Sequence, residues 1–303
     1  MKRVLLTGAT GFVGRHCLPA LLARGYEVHA TSSKADVAEP QSEAHWHQVD
    51  LLSAAQVSRL LEALRPTHLL HCAWYAVPGK YWSSPENFRW LDASLHLFQT
   101  FAATGGERAV GVGTCAEYDW HDGHCSEQLT PLTPTTNYGV CKHKLQLMLD
   151  TLAKESGLST AWARLFFLYG PHEYEERLVA SIIRSILQDQ PALCSHGEQV
   201  RDFLYIRDAA DALVALLDSD VTGAVNIASG VPLRLSELIK EIAAQLGRPD
   251  LIRLGARPAA QGEPSLLVAD IGRLHDEVKW VPQHELTQGL TETIKWWKSQ
   301  LTK

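Results

Sequence analysis

Tyr138 and Lys142 stand four residues apart in Tyr138-Gly139-Val140-Cys141-Lys142. On a helix, positions i and i+4 share a face, so both side chains can enter one site. An ammonium near a phenol favours the phenolate and lowers its pKa. Such a tyrosine can give or take a proton near neutral pH. Alone, the spacing is common and specifies no reaction. A second pattern gives it a context. Thr7-Gly8-Ala9-Thr10-Gly11-Phe12-Val13-Gly14 follows a short apolar run and opens a helical repeat. Glycines at 8, 11 and 14 permit a tight turn, let a phosphate approach the backbone, and let helix pack on strand. The free N–H groups and dipole of a helix start then suit a pyrophosphate. The plainer alternative is a tight strand-to-helix turn that binds nothing.

The next strand ends in Ala30-Thr31-Ser32-Ser33-Lys34, with no acid before Asp36. An NAD site usually places an acid here to hold the ribose 2′-hydroxyl. Ser32, Ser33 and Lys34, together with Arg15, suit a 2′-phosphate instead. NADP(H) is therefore favoured, with NAD(H) as the alternative. A solvated lysine in a polar loop is the plain reading of Lys34.

These groups need elements that hold them. Residues 3–6, 27–31, 68–73, 109–113 and 160–167 read as strands. Between them lie helical repeats: Leu18, Leu21 and Leu22 up to Gly25, then Val57, Leu60, Leu61 and Leu64 up to Pro66, then 87–104. Pro19 should kink the first helix or loosen one of its bonds. A long loop over 118–136 precedes a helix whose inner face is marked by Cys141, Leu145, Met148, Leu149 and Leu152. Further helices are expected near 176–188, 208–218 and 235–246, and the amphipathic tail 291–303, with Trp296 and Trp297, reads as a packing helix. Strands separated by helices imply right-handed crossovers and a parallel sheet.

The glycine turn, the Tyr138/Lys142 pair and Thr114 together resemble the short-chain dehydrogenase/reductases. The resemblance is closest to their extended branch, the NAD(P)-dependent epimerase/dehydratase family, and covers nearly the whole chain. Asp50-Leu51 matches the acid that contacts adenine. His71-Cys72-Ala73-Trp74 stands where the family reads His-Leu-Ala-Ala. Gly113-Thr114-Cys115-Ala116-Glu117-Tyr118 matches the strand end with the catalytic Ser/Thr. Arg164 to Pro171, Arg201 to Ile206 and Asn226 to Gly230 match three further blocks.

By this resemblance Tyr138 is the acid/base, Lys142 lowers its pKa and holds the nicotinamide ribose, and Thr114 bonds the substrate oxygen. Cys72, Ala73, Trp74 and Leu165 join the cofactor site. Cys115, Ala116, Phe167, Arg201 and Arg257 fall on the substrate side. Arg201 would meet the diphosphate of a nucleotide-sugar, or else form a structural salt bridge with Asp202 or another acid. Phe167 stands in place of an Asn that touches substrate in many relatives, and Trp90 replaces another Asn. Sugar 4,6-dehydratases carry Asp-Glu directly after the catalytic Thr. Here those positions are Cys115 and Ala116, with Glu117 one residue late.

The resemblance implies a Rossmann-type doubly wound α/β fold with a smaller, partly interleaved substrate domain. Residues 1–170 would bind NAD(P), and 171–303 would mainly bind substrate, with segments returning to the first domain. The implied activity is reduction of a keto group on a nucleotide-linked deoxysugar. An epimerase that keeps NAD bound is the alternative, and a non-catalytic cofactor sensor is disfavoured because the Tyr–Lys pair is intact. Family members often dimerise through a four-helix bundle that includes the Tyr–Lys helix, so a homodimer is expected.

Composition excludes other classes. The 303 residues are 46% apolar and 20% charged, as in globular proteins. A chain of this length buries roughly 75% of its unfolded surface. The net charge of −6 offers no basic field for nucleic acid or anionic lipid. No apolar run nears the ~18 residues of a membrane span. The opening run stops at Thr7-Gly8, too early for a secretory signal. Cys17, Cys72, Cys115, Cys125, Cys141 and Cys194 form no C-x-x-C pair and read as reduced thiols of a cytoplasmic protein. His121-Asp122-Gly123-His124-Cys125 matches no common metal spacing, and no metal is expected. Trp74, Tyr75, Tyr81, Trp82 and Trp90 read as core and pocket lining. Cys115 has no activating partner nearby in sequence, so it reads as a pocket residue and not a nucleophile.

Overall fold

Val4, Leu5 and Leu6 are completely buried in a strand at the heart of a parallel sheet. The computed structural model describes residues 2–34, 43–259 and 262–302; Asp36, named above, and the last residue of the 291–303 tail lie outside them. Strands and helices alternate through β1 (Arg3–Thr7), α1 (Gly14–Ala23), β2 (Glu27–Ser32), β3 (His45–Gln48), α2 (Ala54–Leu64), β4 (His68–His71), α3 (Glu86–Ala103) and β5 (Arg108–Thr114). Next come β6 (His124–Cys125), α4 (Asn137–Ser156), β7 (Ser159–Leu165), β8 (Phe167–Tyr169), α5 (Leu178–Leu187), β9 (Ala192–Leu193), β10 (Val200–Tyr205) and α6 (Ile206–Asp218). The chain finishes with β11 (Gly223–Ile227), β12 (Pro232–Arg234), α7 (Leu235–Gln245), β13 (Ile252–Arg253), β14 (Leu266–Ala269), α8 (Gly272–Asp276) and α9 (Leu286–Leu301).

Seven strands form one sheet in the order β11-β7-β5-β4-β1-β2-β3. Every pair in it is parallel. The strand order reverses direction between β1 and β4, and a crevice opens at the carboxyl ends of strands at such a point. Alternate side chains face the two sides. Val4, Leu6, Val28 and Ala30 pack with α1 and α6, while Leu5, Leu69 and Ala109 pack with α2, α3 and α4. This is the Rossmann-type arrangement anticipated from the strand–helix alternation.

Beyond β7 the chain does not stay on one side. β11 and α6 return to the large sheet and its α1 face. β6 and β8, from before residue 170, instead join a second sheet ordered β12-β10-β14-β6, in which β8 pairs with β10. β13 and β9 form a small pair of their own.

Four local expectations are corrected. The 160–167 run breaks at Phe166, because β7 belongs to the large sheet and β8 to the second. The fourth strand ends at His71, and 72–73 continue as coil toward the glycine turn. The 118–136 loop contains the short strand β6, paired with distant β14. Met148 is 41% exposed. The inner face of α4 is rotated away from it because that face also buries Lys142 and Gln146, which find partners inside. Among the described residues no helix is long and apolar enough to cross a membrane. All six cysteines are free thiols, five buried and Cys72 half-buried.

Candidate active site

At the glycine turn the backbone passes too close to its neighbours for side chains. Gly8 has φ +68°, and a Cβ there would come within 2.8 Å of the Ala73 nitrogen. A Cβ at Gly14 would strike the Gly8 carbonyl oxygen. Gly11 closes the turn through its N–H to the Gly8 carbonyl, 2.9 Å. Helix α1 then starts at Gly14 with no side-chain cap and no acid in its first turn. The N–H groups of Arg15 and His16 bond the Gly11 and Val13 carbonyls. Those of Phe12, Val13 and Gly14, which face no acceptor among the described residues, fit a diphosphate, so the turn suits a dinucleotide. Thr10, Phe12 and Val13 lie in this turn. The turn is braced from the far end of the chain: Arg15 donates to the Thr10 carbonyl and meets the His172 ring, which stacks near Trp296 of α9. The Arg15 guanidinium is thus already engaged, which argues against its expected service to a 2′-phosphate.

At the end of β2, Ser32 is buried and accepts the Lys34 N–H, while Ser33 and Lys34 are exposed. Val49 donates to the Ser32 carbonyl, which sets Asp50 and Leu51 beside this end of the sheet. Thr7 Oγ1 bonds His71 Nδ1 at 2.7 Å and accepts the Ala73 N–H, tying the β1 and β4 ends that flank the turn. Burial pulls His71 down to about 3, so its ring is neutral.

Thr114 ends β5 and caps a single turn over Cys115–Glu117. Its Oγ1 accepts the Ala116 N–H, and Glu117 reaches back to the Thr114 N–H at 2.9 Å. This reciprocal box fixes the threonine. Glu117 has no solvent exposure and also receives Trp162 Nε1 and Arg164 Nε, the latter at 2.8 Å. Arg164 goes on to Tyr118 and Gln146. Glu117 therefore faces inward because it caps a turn, and not through strand alternation as its position in sequence suggests. Burial pushes the Cys115 thiol far up, which removes it as a nucleophile. Leu165 sits at the end of β7, paired with Thr114 across the sheet.

Helix α4 brings the acid/base candidate to this threonine. Thr136 caps it by accepting the Gly139 N–H. A Cβ on Gly139 would collide with the Ala116 carbonyl, so glycine allows the first turn to seat on the Thr114 loop. Tyr138, half-buried, is ringed by Tyr81, Trp82 and Trp74 at centroid distances of 4.9, 5.9 and 6.5 Å. Trp90 lies behind Trp74 at 6.4 Å. Trp74 is fixed by its N–H to Asn87, which is fully buried.

Lys142 shares the face of Tyr138 but acts elsewhere. Its Nζ donates to the Val112 carbonyl at 2.7 Å and lies 3.9 Å from the Trp74 ring centroid. Burial pulls it down to about 7, against the pull of the Glu117 carboxylate. The expected lowering of Tyr138 by Lys142 is corrected: burial drives the phenol well above its ordinary value, opposed by a bond with Thr114. A helical face shared in sequence did not say where the long lysine stem would end.

On the substrate side, Arg201 is buried and bonds Glu263 at 2.8 Å, and its guanidinium lies over Phe167. The acid is Glu263 and not Asp202, whose carboxylate accepts Ser229, Gly230 and Ala269 N–H groups. A diphosphate at Arg201 would have to share it with Glu263. Arg257 is exposed, and its backbone N–H donates to the Cys194 carbonyl. Glu117, Arg164 and Gly139 shape the site without having been singled out for it. Thr114-x-x-Glu117 is itself a capping-box pattern, a signal present in the sequence.

Comparison with known proteins agrees with this geometry. A profile described as the NAD dependent epimerase/dehydratase family matches residues 4–228. A UDP-glucuronic acid decarboxylase 1 of Xenopus tropicalis is 26% identical over 99% of this chain and 73% of its own. A dTDP-4-dehydro-6-deoxy-D-allose reductase of Streptomyces bikiniensis is 27% identical over 98% of this chain and 96% of its own. A UDP-glucose 4-epimerase of Thermus thermophilus, solved with NAD, is 25% identical with TM-score 0.86, covering 98% and 99% of the two chains. With the uncapped glycine turn and the Thr114, Tyr138 and Lys142 constellation, these matches place the chain in the NAD-dependent epimerase/dehydratase family.

Proposed function

We propose that this enzyme reduces a keto group on a nucleotide-linked deoxysugar, with NADPH as the favoured cofactor. The bound nicotinamide would supply the hydride. Thr114 and Tyr138 hold the substrate oxygen, and Tyr138 gives it a proton. Lys142 backs this pocket through Trp74, whose ring meets both its Nζ and the Tyr138 ring. The observation that carries this reading is the fate of the residues after Thr114. Cys115 and Ala116 are no acids for expelling a hydroxyl, and Glu117 is locked against Arg164 inside the protein. The constellation is thus equipped for hydride and proton transfer and lacks the groups for elimination. The dTDP-sugar reductase of S. bikiniensis supports the same choice. A 4-epimerase holding NAD is the second reading, favoured by the NAD in the Thermus structure.

One assay separates them. The protein is incubated with C4-deuterated NADPH and a panel of nucleotide 4-keto-6-deoxyhexoses and nucleotide-hexoses, and products are read by NMR. Deuterium should enter the sugar as NADPH is consumed, and no 4-keto-6-deoxy product should form from the hexoses. Epimerisation without net cofactor consumption, or accumulating 4-keto-6-deoxy sugar, overturns the reductase reading. For the cofactor, Ser32, Ser33 and Lys34 carry the preference. Titration against tryptophan fluorescence should find NADPH tighter than NADH, and Lys34→Ala should weaken NADPH alone. Tighter binding of NADH would refute it.

We also assign a homodimer contact to the outer face of α3 and α4. Phe88, Leu147 and Met148 are exposed there, by 50%, 51% and 41%. Exposed apolar residues clustered on one face mark association sites. Leu147→Glu should halve the mass seen by light scattering. A wild-type monomer, or a variant that stays dimeric, would remove the assignment.

A further inference from the structure

Two short sequence pairs meet on the edge of the large sheet. Glu27-x-His29 lies on β2 and His45-x-His47 on β3. His29 is in register with His45, and His47 follows two residues on. Residues two apart on a strand share a face, so all four side chains project from one side. One ligand atom each from Glu27, His29 and His45 lie within 4.8 Å of one another. The His29 and His45 rings stack at 4.8 Å, and those of His29 and His47 at 5.1 Å.

From this arrangement we propose a binding site for a divalent transition-metal ion, with zinc as the best match, formed by Glu27, His29 and His45. The His29 ring has two distinct sides. Its Nε2 faces the Glu27 carboxylate at 3.1 Å, and its Nδ1 faces His47 Nε2 at 2.9 Å. A neutral imidazole has one N–H and one lone pair. Without the ion, Nε2–H donates to the Glu27 carboxylate. An ion would replace that proton, leaving the ring N–H on Nδ1, donated to His47, and the Nε2 lone pair on the Glu27 and His45 side. A metal-ligating histidine is ordinarily oriented this way, its other nitrogen donating to a neighbour. His47 is therefore the positioning residue and not a ligand.

Two imidazoles and one carboxylate match the donor preference of zinc and leave one position for water. Tetrahedral ligands at about 2.0–2.1 Å from zinc must draw closer than 4.8 Å. His45 is exposed and supplies that movement. Arg3 also contacts Glu27, through Nε to Oε1 at 3.2 Å, while its own Nη1 is held by the Leu64 carbonyl at 2.6 Å. Both described bonds to Glu27 use Oε1, so Oε2 remains for the ion. The guanidinium charge weakens the site without closing it. Bound metal would staple β3, the outermost strand, to β2, and β3 leads directly to Asp50. No metal was expected from the sequence, because the two pairs are separated along the chain and meet only through strand pairing.

The test uses untagged, chelator-stripped protein titrated with Zn²⁺ by calorimetry and with Co²⁺ by visible absorption. One ion per chain should bind, and Co²⁺ should show the intense bands of tetrahedral coordination. His45→Ala, on an exposed side chain, should fold as the wild type and lose the stoichiometric isotherm. His47→Ala should keep the stoichiometry and weaken affinity by about 10–100-fold, the usual effect of losing an orienting partner. His121→Ala, in a separate histidine-bearing loop, should change nothing. Failure to reach one Zn²⁺ per chain overturns the proposal, as does Zn²⁺ binding that survives His45→Ala.

Discussion

Tyr138→Phe yields a folded protein whose turnover falls by at least ~10²-fold, the usual share of a positioned acid/base. The ring is held by Tyr81, Trp82 and Trp74, and phenylalanine preserves those contacts. Only the hydroxyl beside Thr114 is lost, so the fold should keep its stability. Cofactor affinity, measured by fluorescence, should stay close to wild type, because the glycine turn and the β2 end are untouched. Turnover within a few-fold of wild type would show that another group carries the proton.

Glu117→Ala should act in the opposite manner, on stability first. Its carboxylate is fully buried and serves three donors: the Thr114 N–H, Trp162 Nε1 and Arg164 Nε. Truncation leaves Arg164, 1% exposed, as an unpaired buried charge. Breaking such a pair from one side costs about 3–5 kcal/mol. Urea unfolding should give the variant an unfolding free energy lower by that amount, with the midpoint down by that amount divided by the m-value. Were Glu117 instead a substrate-facing acid, the variant would unfold like the wild type and lose only activity. The two outcomes separate a positioning role from a chemical one.

What the sequence disclosed depended on how far apart the cooperating residues lie. The glycine turn was legible because its three glycines answer to one another within eight residues. The helix starting at Tyr138 was legible for the same reason. The strands at 3–6 and 109–113 announced themselves by the short apolar runs Val4-Leu5-Leu6 and Ala109-Val110-Gly111-Val112, as buried parallel strands do. The edge strand β3 did not. It reads His-Trp-His-Gln and is half-exposed, so it carries neither an apolar run nor an apolar–polar alternation. The break at Phe166 depended on the pairing of β8 with β10, a strand beyond residue 190. In the site, Arg164 meets Glu117 from 47 positions away, and Arg201 finds Glu263 from 62. No local pattern encodes those partners. The direction taken by Lys142 was equally hidden, because a backbone carbonyl and an indole face leave no mark in residue spacing.

The bracing of the glycine turn ties its stability to a segment remote in sequence. The turn occupies residues 7–14. Phe12 and Val13 nevertheless pack against a cluster built from Tyr169 onward, including Leu290, Ile294 and Trp297 of α9. Arg15 is held by His172, and His172 rests near Trp296. Removal of α9 would thus leave the nucleotide loop unsupported. A ligand held at residues 7–14 would in turn stabilise the docking of residues 286–301, so the two distant segments gain or lose order together.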